Sequence, residues 1–228
     1  MITRQGENSL VPIIVVGGAS KGVGKTALIC GLIASLPDLQ WTAIKLTGHA
    51  YETGDSSFPS PENGEDQETS LGAPFFQRPL AGRVGSDEPQ PSIPIETTIW
   101  EETEPGQGTD TARYLAAGAR RAILITATEL TLSDIDSAIG PDTNVIFESN
   151  TIMNVLEPDV CLAIVGGLQT DTKPSFEPLM ERADAFVRAS GWGAKSLSFA
   201  LAKPLFQLAS FDNISPEMLE WLRAHLSL

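Results

Sequence analysis

A chain of 228 residues, 42% hydrophobic and 19% charged, is long enough for one ordinary α/β domain and too apolar for a disordered or fibrous protein. Its formal net charge of -14 excludes broad contact with nucleic acid or an anionic membrane, both of which need clustered Lys and Arg. The two cysteines, Cys30 and Cys161, lie in apolar stretches and read as buried free thiols, not as a metal site. With no apolar run of signal-peptide length at the start and no stretch approaching a membrane span, the expectation is a soluble cytoplasmic protein.

The first element is "LVPIIVVGG", a run of β-branched residues ending in glycines that reads as a buried parallel strand entering a turn. From Thr26 the period changes: Leu28, Ile29, Leu32, Ile33 and Leu36 recur at helical spacing until Pro37 and Asp38. "WTAIKLTG" (41–48) is a second strand, closed at its polar end by Lys45. Residues 52–94 are dense in Pro, Gly, Ser and acids, and predict an irregular insertion pinned by Phe75 and Phe76. "IETTIWEE" (95–102) alternates like a half-buried edge strand.

Alternation of helix and strand then resumes. A helix is predicted over Asp110 to Ala119, a strand over "AILITA" (122–127), and a helix from Ser133 or Asp134 to Ile139. "TNVIFE" (143–148) and "DVCLAIV" (159–165) are two further buried strands, followed by a helix from Pro174 to Ala183. The last helix takes Ser215 as N-cap and Pro216 as its first residue, with Met218, Leu219, Leu222 and Leu226 on its inner face. This order predicts an α/β three-layer sandwich with a mostly parallel sheet, a single domain over 1–228 carrying the 52–94 insertion.

The chemistry starts in "GGASKGVGKTAL" (17–28). A glycine-rich turn from strand to helix aims successive backbone N–H groups at one point, where the helix dipole also favours negative charge. Gly24-Lys25-Thr26 has the ending of a phosphate-binding loop, although Ala19 stands where its first Gly is usual. The nucleotide-binding stretch is therefore Ser20, Lys21, Gly22, Val23, Gly24, Lys25, Thr26 and Ala27. Lys25 is placed for the β- and γ-phosphates, and the Thr26 hydroxyl for Mg²⁺. Lys21 reads equally as a solvated side chain or as a catalytic one.

Glu148, directly after an apolar strand, is the expected carboxylate partner of that Mg²⁺, with Thr26 as the other ligand. Ser149 and Asn150 follow it as hydrogen-bonding groups for substrate or water. Lys45 sits at the carboxyl edge of the sheet, where open α/β proteins bind ligands, and is assigned to a phosphate or an acidic substrate. His49, Asp55, Asp110, Arg113, Asp171 and Lys173 share that edge, each readable as a cap or surface group. Lys25, Lys21, Lys45 and Glu148 make up the catalytic set.

The loop, "IKLTGHAYETGD", "GTDTARYLAAGARRAILIT" and "VIFESN" occur in an order that resembles the molybdopterin-guanine dinucleotide biosynthesis protein B family. Lys25 and Thr26 match that family's P-loop; Asp110, Thr111, Arg113 and Ala117-Gly118-Ala119 match its middle motif; Glu148 matches its acidic strand end. The resemblance spans about residues 11–165 apart from the insertion. It implies the P-loop NTPase fold and the branch that also holds dethiobiotin synthetase and metal-insertion GTPases. In that branch an extra early lysine reaches phosphates across a dimer or stabilises developing charge; here the family position falls on Ser20, and Lys21 stands one place later.

The expectation is a Mg²⁺-dependent protein that binds ATP or GTP and uses it in hydrolysis or in phosphoryl transfer to a small-molecule acceptor, with a homodimer as one arrangement. No Asn-Lys-x-Asp string selects guanine, so both bases stay open. The alternative is a non-enzymatic nucleotide-binding accessory protein in cofactor assembly.

Overall fold

Strand β1 (Ile13–Gly18) is the centre of the architecture, because its alternating side chains feed two separate cores. Ile14 and Val16 point into one, Val15 into the other. The computed structural model describes residues 12–48, 97–140, 144–166, 173–189 and 203–226. The chain divides into two units, and every described residue belongs to the first, Met1–His49 with Ile95–Leu228. The predicted insertion, with Phe75, Phe76, His49 and Asp55, lies outside the described residues, as does Asp171.

In chain order the described elements are β1, α1 (Lys25–Ser35), β2 (Thr42–Gly48), β3 (Thr98–Glu102), α2 (Asp110–Ala116), β4 (Arg121–Ala127) and α3 (Leu132–Ile139). β5 (Val145–Glu148), β6 (Val160–Ile164), α4 (Phe176–Arg182), β7 (Ala185–Ala189), β8 (Leu205–Leu208) and α5 (Pro216–His225) complete the set. The eight strands form one sheet in the order β3-β4-β2-β5-β1-β6-β7-β8. All neighbours are parallel except β3, which runs antiparallel to β4 at the edge.

Helices α1, α2 and α5 contribute Leu28, Ile29, Leu32, Tyr114, Met218 and Leu222 to the core on one face. Helices α3 and α4 contribute Ile135, Ala138, Phe176 and Leu179 to the other. The fold is thus an α/β three-layer sandwich. Each fully buried Leu or Ile of α1 contributes roughly 1.5–3 kcal/mol, so this helix is fixed chiefly by its apolar side.

Several boundaries differ from the sequence expectation for local reasons. Lys45 does not close its strand: β2 keeps the expected end at Gly48, and Lys45 sits within it, paired on one side with β4 and on the other with β5. Helix α2 stops at Ala116 instead of Ala119, because Gly118 takes φ 104 and turns the chain into β4. Helix α3 begins at Leu132, under a capping box between Thr131 and Asp134. Strands β7 and β8, which complete the sheet beyond β6, are additions to the expected order.

Candidate functional site

The glycine loop, Lys25 and the start of α1 meet where β1 passes into α1. Residue Ala19 has no positive φ, since Gln40 is the one non-glycine residue with such a value among the described residues. Its backbone is committed instead: its N–H donates to Ile164 O at 3.3 Å, and its carbonyl accepts from Lys173 N at 2.9 Å. An alanine therefore fits where the usual loop has glycine. Gly24 has no such latitude. It takes φ 98, and a Cβ there would lie 2.3 Å from the Phe211 ring.

Helix α1 starts at Lys25 with no side-chain cap and no acid in its first turn, whereas Thr109, Thr131 and Ser215 cap α2, α3 and α5. Its first N–H groups are left for another acceptor. Lys25 Nζ donates to the Ser20 carbonyl at 3.3 Å. Burial pulls its pKa down; nearby Glu148 opposes the shift, while Lys173 and Lys45 add to it. Ser20 and Val23 are buried, Gly22 and Lys21 exposed, and Ala27 packs against the core.

Glu148 ends β5 and is buried, 6% exposed. Its Oε2 accepts from the Thr26 hydroxyl at 2.8 Å and also from the Tyr114 hydroxyl. Its Oε1 lies 3.7 Å from Lys45 Nζ. The register explains this meeting, because Lys45 of β2 sits directly beside Glu148 of β5. Lys45 in turn donates to Asp110, the first residue of α2, and Arg113 lies 3.7 Å from the same carboxylate. Burial pushes the Asp110 pKa up, but the Lys45 hydrogen bond and charge outweigh it and hold the carboxyl below its ordinary range. Tyr114 is pushed well above the usual phenol value by burial, and further by Glu148.

A central parallel strand, a glycine loop with Lys25 and Thr26, the helix it opens, and an acid on the adjacent strand joined to Thr26 thus stand together at one edge of the mostly parallel sheet. No protein-family model matches the chain, and no curated protein matches it. A crystal structure of the "apo" form of LpxK from Aquifex aeolicus in complex with ATP is similar at 14% identity and a TM-score of 0.44. The similarity covers 87% of this chain and 54% of that one, so the chain spans about half the length of that protein.

The structure brings Lys25, Thr26, Lys45 and Glu148 into one cluster and adds Asp110 to it. It leaves Lys21 exposed, with no hydrogen bond or ion pair among the described residues. Two expectations change. Ser149 is not directed to substrate: its Oγ accepts from the N–H groups of Thr151 and Ile152, at 3.0 and 3.1 Å. Asn150 is likewise spent on the protein, holding both backbone groups of Gly18 and donating to Ser175 Oγ at 3.2 Å. Lys173 serves the loop through its backbone, and its side chain is exposed.

Tyr114 is the residue the sequence reading passed over. Its signal was present, since Asp110 and Tyr114 are four apart in one helix and so share a face. An aromatic inside an apolar helix reads as core, and only the fold supplies the carboxylate opposite its hydroxyl. Among the described residues no cluster of three or more His, Cys, Asp or Glu is placed to hold a metal, and no helix is long and apolar enough to cross a membrane.

Proposed function

We propose that the chain binds a purine nucleoside triphosphate with Mg²⁺ and uses it in hydrolysis or in phosphoryl transfer to a small-molecule acceptor. The observation that carries this reading is the 2.8 Å hydrogen bond from Thr26 to buried Glu148, next to Lys25 and an uncapped helix start. The uncapped N–H groups and Lys25 take the β- and γ-phosphates. A hydroxyl and a carboxylate are hard oxygen donors of the kind Mg²⁺ accepts alongside nucleotide phosphates, so Thr26 and Glu148 would hold it. The ion, when bound, supplies charge neutralisation across the phosphates.

Lys45 would serve the acceptor side, an anionic acceptor displacing Asp110 from its ammonium. Catalysis in this reading is positioning plus electrostatic stabilisation, with no covalent protein intermediate. Lys21, exposed on the loop, is free for a phosphate of its own site or, in a homodimer, of the neighbouring copy. The matches at Lys25, Thr26, Asp110, Thr111, Arg113 and Glu148 support the branch of molybdopterin-guanine dinucleotide biosynthesis protein B and dethiobiotin synthetase. A reducing, cytoplasmic setting suits the two free thiols.

A second reading, a slowly hydrolysing accessory protein in cofactor assembly, is favoured by the Lys45–Asp110 pair, which satisfies Lys45 with no acceptor present. The test is a thermal-shift panel of ATP and GTP, each with and without Mg²⁺, followed by turnover measurements. Mg²⁺-dependent stabilisation by one nucleotide is expected, and its loss in Lys25→Ala. Turnover that rises with a small metabolite supports the transferase reading, and turnover that rises only with a protein partner supports the accessory one. Unchanged nucleotide affinity in Lys25→Ala would overturn both.

A further inference from the structure

Tyr114 is fully buried, and a phenol withdrawn from water needs a partner for its hydroxyl. That partner is Oε2 of Glu148, the same oxygen that accepts from Thr26. A phenylalanine would fill the same space and seal the same core, so the hydroxyl is surplus to packing. What it touches is a carboxylate joined to the phosphate loop.

Two hydroxyl donors on Oε2 fix the carboxylate in position and leave Oε1 with the Lys45 ammonium at 3.7 Å, beyond hydrogen-bond length. Lys45 is drawn the other way, onto Asp110. Asp110 and Tyr114 stand one helical turn apart on α2, so one short helix holds both members of the Lys45–Glu148 pair and keeps them from closing on each other. Thr26 donates to Glu148 and keeps its oxygen lone pairs for a hard cation.

We propose that Tyr114 is a positioning residue: its hydroxyl fixes Glu148, and through Glu148 the Thr26 oxygen, for the cation that accompanies a bound nucleotide. This rests on the nucleotide and Mg²⁺ reading given above. Partners one step removed from a metal set its affinity, and their loss typically costs 10–100-fold. Without the phenol hydroxyl, Glu148 keeps one donor fewer and swings to Lys45.

The experiment is a fluorescence titration of the full chain with methylanthraniloyl ATP and with methylanthraniloyl GTP, in EDTA and across a Mg²⁺ series. Tyr114→Phe should bind nucleotide in EDTA as the natural protein does, while its half-saturating Mg²⁺ rises about tenfold or more. An unchanged half-saturation overturns the proposal, and so does an equal loss with and without Mg²⁺, which marks a merely structural role. Failure of the underlying reading shows separately, as a natural protein whose nucleotide affinity ignores Mg²⁺, and the proposal falls with it.

Should Tyr114→Phe not fold, a second measurement decides. The chain has two tyrosines, so Tyr51→Phe protein grown on 3-fluorotyrosine carries one fluorine label, at position 114. Its resonance should move when Mg²⁺ is added at saturating nucleotide. A stationary resonance overturns the proposal.

Discussion

Gly18 and Asn150 exchange two hydrogen bonds, the glycine N–H donating to Asn150 Oδ1 at 2.9 Å and Asn150 Nδ2 donating to the Gly18 carbonyl at 3.0 Å. One side-chain amide thus stands in for a stretch of sheet ladder where β1 leaves the sheet for the phosphate loop. Asn150→Ala should cost about 1–3 kcal/mol, because it strips partners from buried backbone groups. Asn150→Asp should be no better, since it puts a second acceptor against the Gly18 carbonyl. Urea unfolding of both variants checks the order; an Asp variant as stable as the natural protein would show that the amide donor contributes nothing.

Gly24 should resist the smallest possible enlargement. Gly24→Ala meets a left-handed φ of 98 and a Phe211 ring 2.3 Å from the new methyl. The backbone conformation alone costs about 1–2 kcal/mol in an L residue. Adding Phe211→Leu should recover the contact part and leave the backbone part. A double-mutant cycle on melting free energies measures the split, with a coupling of at least about 0.5 kcal/mol expected for residues in contact.

Nucleotide binding should take up protons in alkaline solution. Burial lowers the pKa of Lys25 in the free protein, and phosphate charge beside it would raise it again. Between the lowered value and the ordinary 10.5, the complex then holds more of the proton than the free site does. Affinity should therefore fall as pH rises through that window. Calorimetry in buffers of different ionisation enthalpy reads the uptake directly, and a binding enthalpy independent of the buffer through that window would overturn it.

Cys161 should be inert in the native protein. Burial pushes its thiol up to about 12, with Asp184 adding to the effect. At pH 8 that leaves roughly one part in ten thousand as thiolate, the form that reacts. Iodoacetamide at pH 8 should label it only after denaturant is added; labelling at the rate of a free thiol would mean that β6 is exposed in solution.

The strand, glycine loop and helix were legible in the sequence because each is written locally: β-branched residues, then glycines, then apolar residues at helical spacing. Glu148 was legible for the same reason, as the polar residue ending an apolar run. Partnership was not. Ser149 and Asn150 follow that acid and invite a substrate role, yet Asn150 is used up by Gly18, 132 positions away. No period or motif encodes such a contact. β8 was hidden because Leu-Phe-Gln-Leu puts a leucine on each face, so its alternating burial is not matched by alternating polarity. Lys45 was misplaced because its charge looked like the end of a strand, whereas Asp110 and Glu148 let a lysine sit within one.

The antiparallel edge strand has a consequence for how the gene could vary. β2 ends at Gly48, opposite Ala127 of β4, and β3 begins at Thr98, opposite Thr126 of the same strand. The chain therefore leaves and rejoins the sheet on a single rim, two strand spacings or about 10 Å apart. Whatever lies between those two points is topologically a closed detour, whose length can grow or shrink without shifting a rung of the ladder. Kin of this protein are best sought by the β1 loop, α2 and the end of β5, with the span from 49 to 97 left free to differ.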